Sequence, residues 1–150
     1  MKKVSICINI SVLILLLSSC SASLSQKEFE ELNIKISDIQ SWLNLMPGGP
    51  GSFHIAGKYQ LPEDLNEKEI FLDKIVIMDK DKEIYSLTAE LQFFYNPEFR
   101  VKEFTFSNYY QTKIEPALIK KDFVDVQLVF SVHGVLFRKE INSVQLKRVY

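Results

Sequence analysis

Cysteine, histidine, glycine and proline are all scarce in this 150-residue chain, which has two Cys, two His, five Gly and five Pro. Two cysteines build neither a disulfide framework nor a four-thiolate zinc centre, and two histidines leave little for an imidazole-rich metal site. No metal or other cofactor is expected. With so little Gly and Pro and 47% hydrophobic residues, collagen-like and disordered chains are excluded. An excess of charge of either sign is also missing: 18 Lys+Arg stand against 19 Asp+Glu, for a net charge of −1. Such a chain has no broad cationic field to hold a phosphate backbone, so no nucleic-acid partner is expected. What remains is the composition of one ordinary globular domain.

The chain opens with a positive pair, Lys2 and Lys3, followed by the apolar stretch 4–17 and the small, polar run Ser18-Ser19-Cys20-Ser21. A bilayer-spanning helix needs about 20 mostly apolar residues, so this run is too short and its order is that of a secretory signal. Leu17-Ser18-Ser19-Cys20 resembles the lipobox of bacterial lipoproteins. The resemblance implies removal of residues 1–19, lipidation of Cys20 and a membrane partner reached through that lipid. Ser21 after the cysteine, rather than Asp, implies the outer membrane facing the periplasm if the cell is Gram-negative. Two or three acyl chains would make release from the bilayer negligible. A plain cleaved signal is the alternative. Residues 20–28 then form a lipidated N-terminus and short tether, and residues 29–150 the domain.

From residue 32 onward the patterning predicts strands. The first is ambiguous: Phe29, Leu32, Ile36, Ile39 and Leu43 fall at helical spacings, while Leu32, Ile34 and Ile36 alternate. Poor helix formers and β-branched residues favour a strand over 32–44. Phe53, Ile55, Gly57 and Tyr59 alternate up to the Leu61-Pro62 break. Residues 70–78 and 83–95 read as a hairpin turning at 79–82. In 101–108, Phe104 and Phe106 share a face opposite Glu103 and Thr105. The clearest strand is 123–132, with Val124, Val126, Leu128, Phe130 and Val132 on one side. His133-Gly134 is a tight turn into a returning strand over 135–149. Seven strands in this spacing predict an all-β, antiparallel two-sheet sandwich that resembles an immunoglobulin-like domain, with a small β-barrel as the alternative. No inter-sheet cysteine pair is present, and the single Trp42 falls before the second strand.

Candidate sites sit in the connections. Gly48, Gly49 and Gly51 cluster with Pro47 and Pro50 in a segment whose bare backbone could approach a ligand; it lacks the Gly-Lys-Ser/Thr ending of a phosphate loop, and a plain turn is the simpler role. Met46-Pro47-Gly48-Gly49-Pro50 followed by Ser52-Phe53-His54 resembles a segment of small envelope lipoproteins, a likeness that supplies no activity. His54 lies two residues from Ser52, but a nucleophile and base also need an orienting acid. Asp79, Asp81 and Glu83 could offer oxygens to a cation, although Lys80 and Lys82 oppose this. Tyr109 and Tyr110 fall in a long connection, 107–121, where exposed tyrosines suit protein contacts and sugar stacking. No set reaches a catalytic constellation. The expectation is a lipid-anchored envelope protein that is not an enzyme and works as a protein- or ligand-binding module. A structural accessory of an outer-membrane or secretion assembly is the alternative, and a hydrolase is less favoured.

Overall fold

The computed structural model describes residues 24–96, 98, 100–109 and 112–150. The signal, Cys20 and Tyr110 lie outside the described residues. The chain folds as a short helix, α1 (Gln26–Glu31), and eight strands: β1 (Lys35–Asn44), β2 (Ser52–Pro62), β3 (Ile70–Asp79), β4 (Lys82–Thr88), β5 (Glu90–Asn96), β6 (Val101–Ser107), β7 (Phe123–Val132) and β8 (Val135–Val149). A 3-10 turn, Pro116–Leu118, interrupts the long connection between β6 and β7.

The all-β expectation holds, with differences in detail. The strands join in one hydrogen-bonded order, β4-β3-β7-β8-β1-β2-β6-β5, rather than as two separate sheets. Every pair is antiparallel except β1 with β8, which is parallel, so the sheet is mixed. There are eight strands rather than seven because the run expected over 83–95 changes partner midway. β4 ends against β3, at Lys74 opposite Thr88, and β5 begins against β6, at Glu90 opposite Ser107, with only Ala89 between them. β4 and β5 are the two ends of the sheet order, so the sheet must curl until its edges meet at Ala89. β8 makes a second switch: Val135–Gln145 pairs with β7, and Leu146–Val149 with β1. The result is a half-barrel, nearer to the barrel alternative than to two face-packed sheets.

The inward rows fill the curl. Phe53, Ile55, Tyr59 and Leu61 of β2, Phe104 and Phe106 of β6, and Val124, Val126, Leu128, Phe130 and Val132 of β7 are all buried in one cluster. The inward rows foreseen for 123–132 and for Phe104 and Phe106 are therefore observed, although Val129 and Ser131 on the other face of β7 are buried as well. Residues 26–28, expected in the tether, and 29–31, just ahead of the strand expected from residue 32, carry a helix, and Leu32 is its C-cap. Ser25 caps it: its hydroxyl accepts from the Glu28 amide, and the Glu28 carboxylate accepts from the Ser25 amide. Six residues are too few to hold a helix alone. Phe29 anchors it, stacked on Phe137 at 5.0 Å and tilted against Phe130 at 5.8 Å, a burial worth about 1.5–3 kcal/mol.

This topology sorts the connections. The helix, the 63–69 segment, the β5–β6 turn and the His133-Gly134 turn lie at one end of the half-barrel. The 45–51 segment, the 80–81 turn and the 108–122 connection lie at the other.

Candidate functional site

The loops singled out in the sequence converge at the end away from α1, and hydrogen bonds tie them together there. The Leu45 amide donates to the Val149 carbonyl at 2.7 Å, and the Phe53 amide to the Thr112 carbonyl at 2.8 Å. Ser52 forms an isolated bridge with Lys113. Lys121 pairs with Asp79 at 2.7 Å, which engages one of the carboxylates that could have faced a cation. Among the described residues no group of three His, Cys, Asp or Glu side chains is placed to hold a metal.

The three glycines of the 46–52 segment differ in role. Gly48 takes a φ of +103°, a conformation that suits glycine, and both it and Gly49 face open space. Gly51 is a close approach: a Cβ there would lie 2.8 Å from the Ile114 Cδ1 and 3.1 Å from the Asn44 carbonyl oxygen. Gly51 therefore seats the segment on the β6–β7 connection, whereas Gly48 and Gly49 display theirs to solvent.

Beside this end, on the outer face of the sheet, lies a compact side-chain group. Because Phe53, Ile55 and Gly57 point inward, Ser52 and His54 point outward. The Ser52 Oγ and His54 Nε2 are 2.8 Å apart. Trp42, directly opposite His54 in the β1–β2 ladder, stacks on the imidazole at 5.1 Å with the rings 10° from parallel. Partial burial against this neighbour pushes the His54 pKa below its usual value. A neutral imidazole beside a serine hydroxyl has the first half of a nucleophile–base arrangement. Among the described residues no carboxylate is hydrogen-bonded or ion-paired to His54 to orient it.

Asn108 supports the site from inside. Its side-chain oxygen accepts from the Ile55 amide at 2.8 Å, and its amide donates to the Phe53 carbonyl at 3.0 Å and the Thr112 Oγ1 at 2.7 Å. This residue, 4% exposed, clips the start of the β6–β7 connection to β2 and leaves the following Tyr109 half-exposed on the surface. Sequence reasoning missed that role, although the signal was present: Asn108 continues the buried row of Phe104 and Phe106, where a polar residue requires partners. The sequence also gave no notice that Tyr85 would close the site from β4. Its hydroxyl donates to the Lys113 carbonyl at 2.7 Å and accepts from the Glu115 amide at 2.6 Å, while its ring stacks on Phe53.

Comparison of the chain with protein-family models, with curated proteins and with solved structures finds no match.

Proposed function

We propose that this is a lipid-anchored cell-envelope protein, tethered through Cys20, which binds a protein or ligand noncatalytically with the loops at one end of its half-barrel. The observation that carries this reading is polarity. α1, which follows the proposed anchor, packs at one end, while the Gly48–Gly49 segment and Tyr109 are presented at the other. A ten-residue strand such as β1 or β7 spans about 33 Å, so an anchored domain of this shape would hold those loops well clear of the bilayer. In this reading the scaffold serves as immunoglobulin-like sandwiches serve, by fixing variable loops at one end of a packed β structure. The Ser52–His54 pair is assigned a structural part, pinned under Trp42 beside the loops.

Photo-crosslinking of the full-length protein in living cells tests the proposal. A photoreactive residue at Gly49 is expected to capture a discrete envelope component, and one at the exposed Lys68, at the helix end, to capture none. Cys20→Ala is expected to abolish palmitate labelling and the Gly49 adduct together. Unchanged labelling of Cys20→Ala would overturn the anchor, and equal adducts from both ends would overturn the polarity.

A further inference from the structure

The two edges of the sheet are finished differently. β4 carries the exposed charges of Lys82 and Glu83, and the 113–115 segment is fastened beside it through the Tyr85 hydroxyl. Charge and a covering loop are the usual protections of an edge strand. β5 is less protected: only its far end is tied to a loop, by the Tyr95 hydroxyl, which donates to the Glu63 carboxylate of the 63–69 segment at 3.0 Å. Glu90 is its only charged residue, no Pro or Lys interrupts it, and Phe93, Phe94 and Tyr95 are 50%, 53% and 49% exposed. Three consecutive half-exposed aromatics show on both faces, because successive side chains alternate. The Phe93 ring packs against Phe104 of the inward row, so Leu91, Phe93 and Tyr95 share the inner face and Gln92 and Phe94 the outer. On the side away from β6, the hydrogen bonds made by described residues give β5 no backbone partner. Such an edge is complemented by extended backbone.

We infer that β5 is a self-association edge, which pairs antiparallel with β5 of a second copy of this chain about a twofold axis through Phe93. Only one antiparallel register pairs all seven residues. It sets Phe93 opposite Phe93, Leu91 opposite Tyr95, and Gln92 opposite Phe94. On the inner face Phe93 thus meets Phe93 and each Leu91 meets a Tyr95, all apolar surface against apolar surface, and the two Glu90 carboxylates lie at opposite ends of the ladder. Cross-strand pairs of this type stabilise a sheet, and like charges directly opposite would destabilise it. The arrangement is isologous and closes at two copies. Charge argues against a bilayer as the occupant: at the end where β5 finishes, the 63–69 segment carries Glu63, Asp64, Glu67 and Glu69 against Lys68 alone, a poor match for anionic lipid.

The test places a photoreactive phenylalanine analogue at Phe94 in the full-length protein, and separately at Gln92 and at the exposed Leu136. Irradiation of cells is expected to give an adduct of twice the chain mass from Phe94 and Gln92 but not from Leu136. With the probe at Gln92, Phe94→Lys is expected to cut that adduct by about tenfold or more, since an edge lysine opposes pairing, while an unchanged circular dichroism spectrum shows the fold kept. An adduct of any other mass, a lipid adduct, no adduct from Phe94, or equal self-adducts from Leu136 would overturn the inference. None of these outcomes touches the Cys20 and Gly49 experiments.

Discussion

Gly57 lies directly opposite Phe106 across the β2–β6 ladder, and a Cβ on Gly57 would sit 2.5 Å from the Cζ of that ring. The ring has nowhere to swing, because Phe106 is fully buried, and Ile39 Cγ1 would close in at 3.0 Å. The glycine is thus the hole into which an aromatic knob fits, a device that lets a strongly curved sheet close without a void. Gly57→Ala is expected to lower stability by about 1–3 kcal/mol, as overpacking does. A chemical-denaturation midpoint equal to wild type would show that the ring relocates freely.

A different strain is stored one turn of the pleat away. Tyr59 stacks on Phe104 at 4.8 Å and meets Phe130 edge-on at 5.2 Å, yet its buried hydroxyl has no hydrogen-bond partner among the described residues. Burial pushes its pKa up to about 12; the backbone at Leu72 offsets part of that rise without reaching full hydrogen-bond geometry. An unfolded tyrosine titrates near 10, so between about pH 10 and 12 the unfolded chain loses its proton first. Stability conferred by the neutral phenol is complete below pH 10 and falls by about 1.4 kcal/mol for each pH unit across that window. Tyr59→Phe is expected to be at least as stable as wild type at pH 7, since it removes an unsatisfied group, and to lose less stability on going from pH 10 to 12. Parallel urea titrations at the two pH values check both signs; a destabilised Tyr59→Phe at pH 7 would reveal a partner for the hydroxyl.

Much of the fold is legible in the residues, and the failures have a common cause. β7 has no break in its inward row, so Val124, Val126, Leu128, Phe130 and Val132 read as one face even though Val129 and Ser131 are buried too. β1 reads as half helix because it contains a bulge. Its register shifts between Ser37 and Gln40, with Asp38 at a φ of 54°, so the inward phase passes from Ile34 and Ile36 to Ile39, Ser41 and Leu43. That phase slip mimics a helical period. Asp73 does the same in β3, where the inward row moves from Ile70 and Leu72 to Ile75 and Ile77. The partner change at Ala89 leaves no local mark, because each half of the 82–96 run obeys strand chemistry and only the distant partners differ. The loops could be placed from Gly, Pro and Asn signals. Their gathering at one end follows from the strand order, which no local pattern encodes.

Asn108 is the residue whose loss should separate scaffold from site. Replacing it with Ala leaves the buried Ile55 amide without its acceptor and releases Thr112 from the clip, while the inward rows keep their packing. An unsatisfied buried donor costs about 1–3 kcal/mol. Beyond that loss, Asn108→Ala should raise amide exchange at Phe53 and Ile55 more than at Leu128 in the centre of β7, because the opening is local. Uniform acceleration across all three would mean that Asn108 holds the whole half-barrel rather than the loop end.

The stack of Trp42 on His54 supplies an optical reporter of the same region. Trp42 is the only tryptophan in the chain, and an imidazole lying 5.1 Å away and nearly parallel is placed to quench it once protonated. Burial favours the neutral ring and holds the pKa below its ordinary value. For a base so shifted, the stabilising contribution of the neutral form is present above the unfolded pKa, near 6.5, and is lost as pH falls through the lower, folded value. Intrinsic fluorescence should therefore fall along a single titration centred below pH 6.5, and His54→Gln should abolish that step without moving the emission maximum at pH 7. Ser52→Ala tests the remaining partner. If the serine hydroxyl donates to Nε2, its loss removes a stabiliser of the neutral ring and the midpoint rises. A fall in the midpoint would mean that Nε2 carries the proton and serine is the acceptor, the tautomer that cannot act as a base toward Ser52.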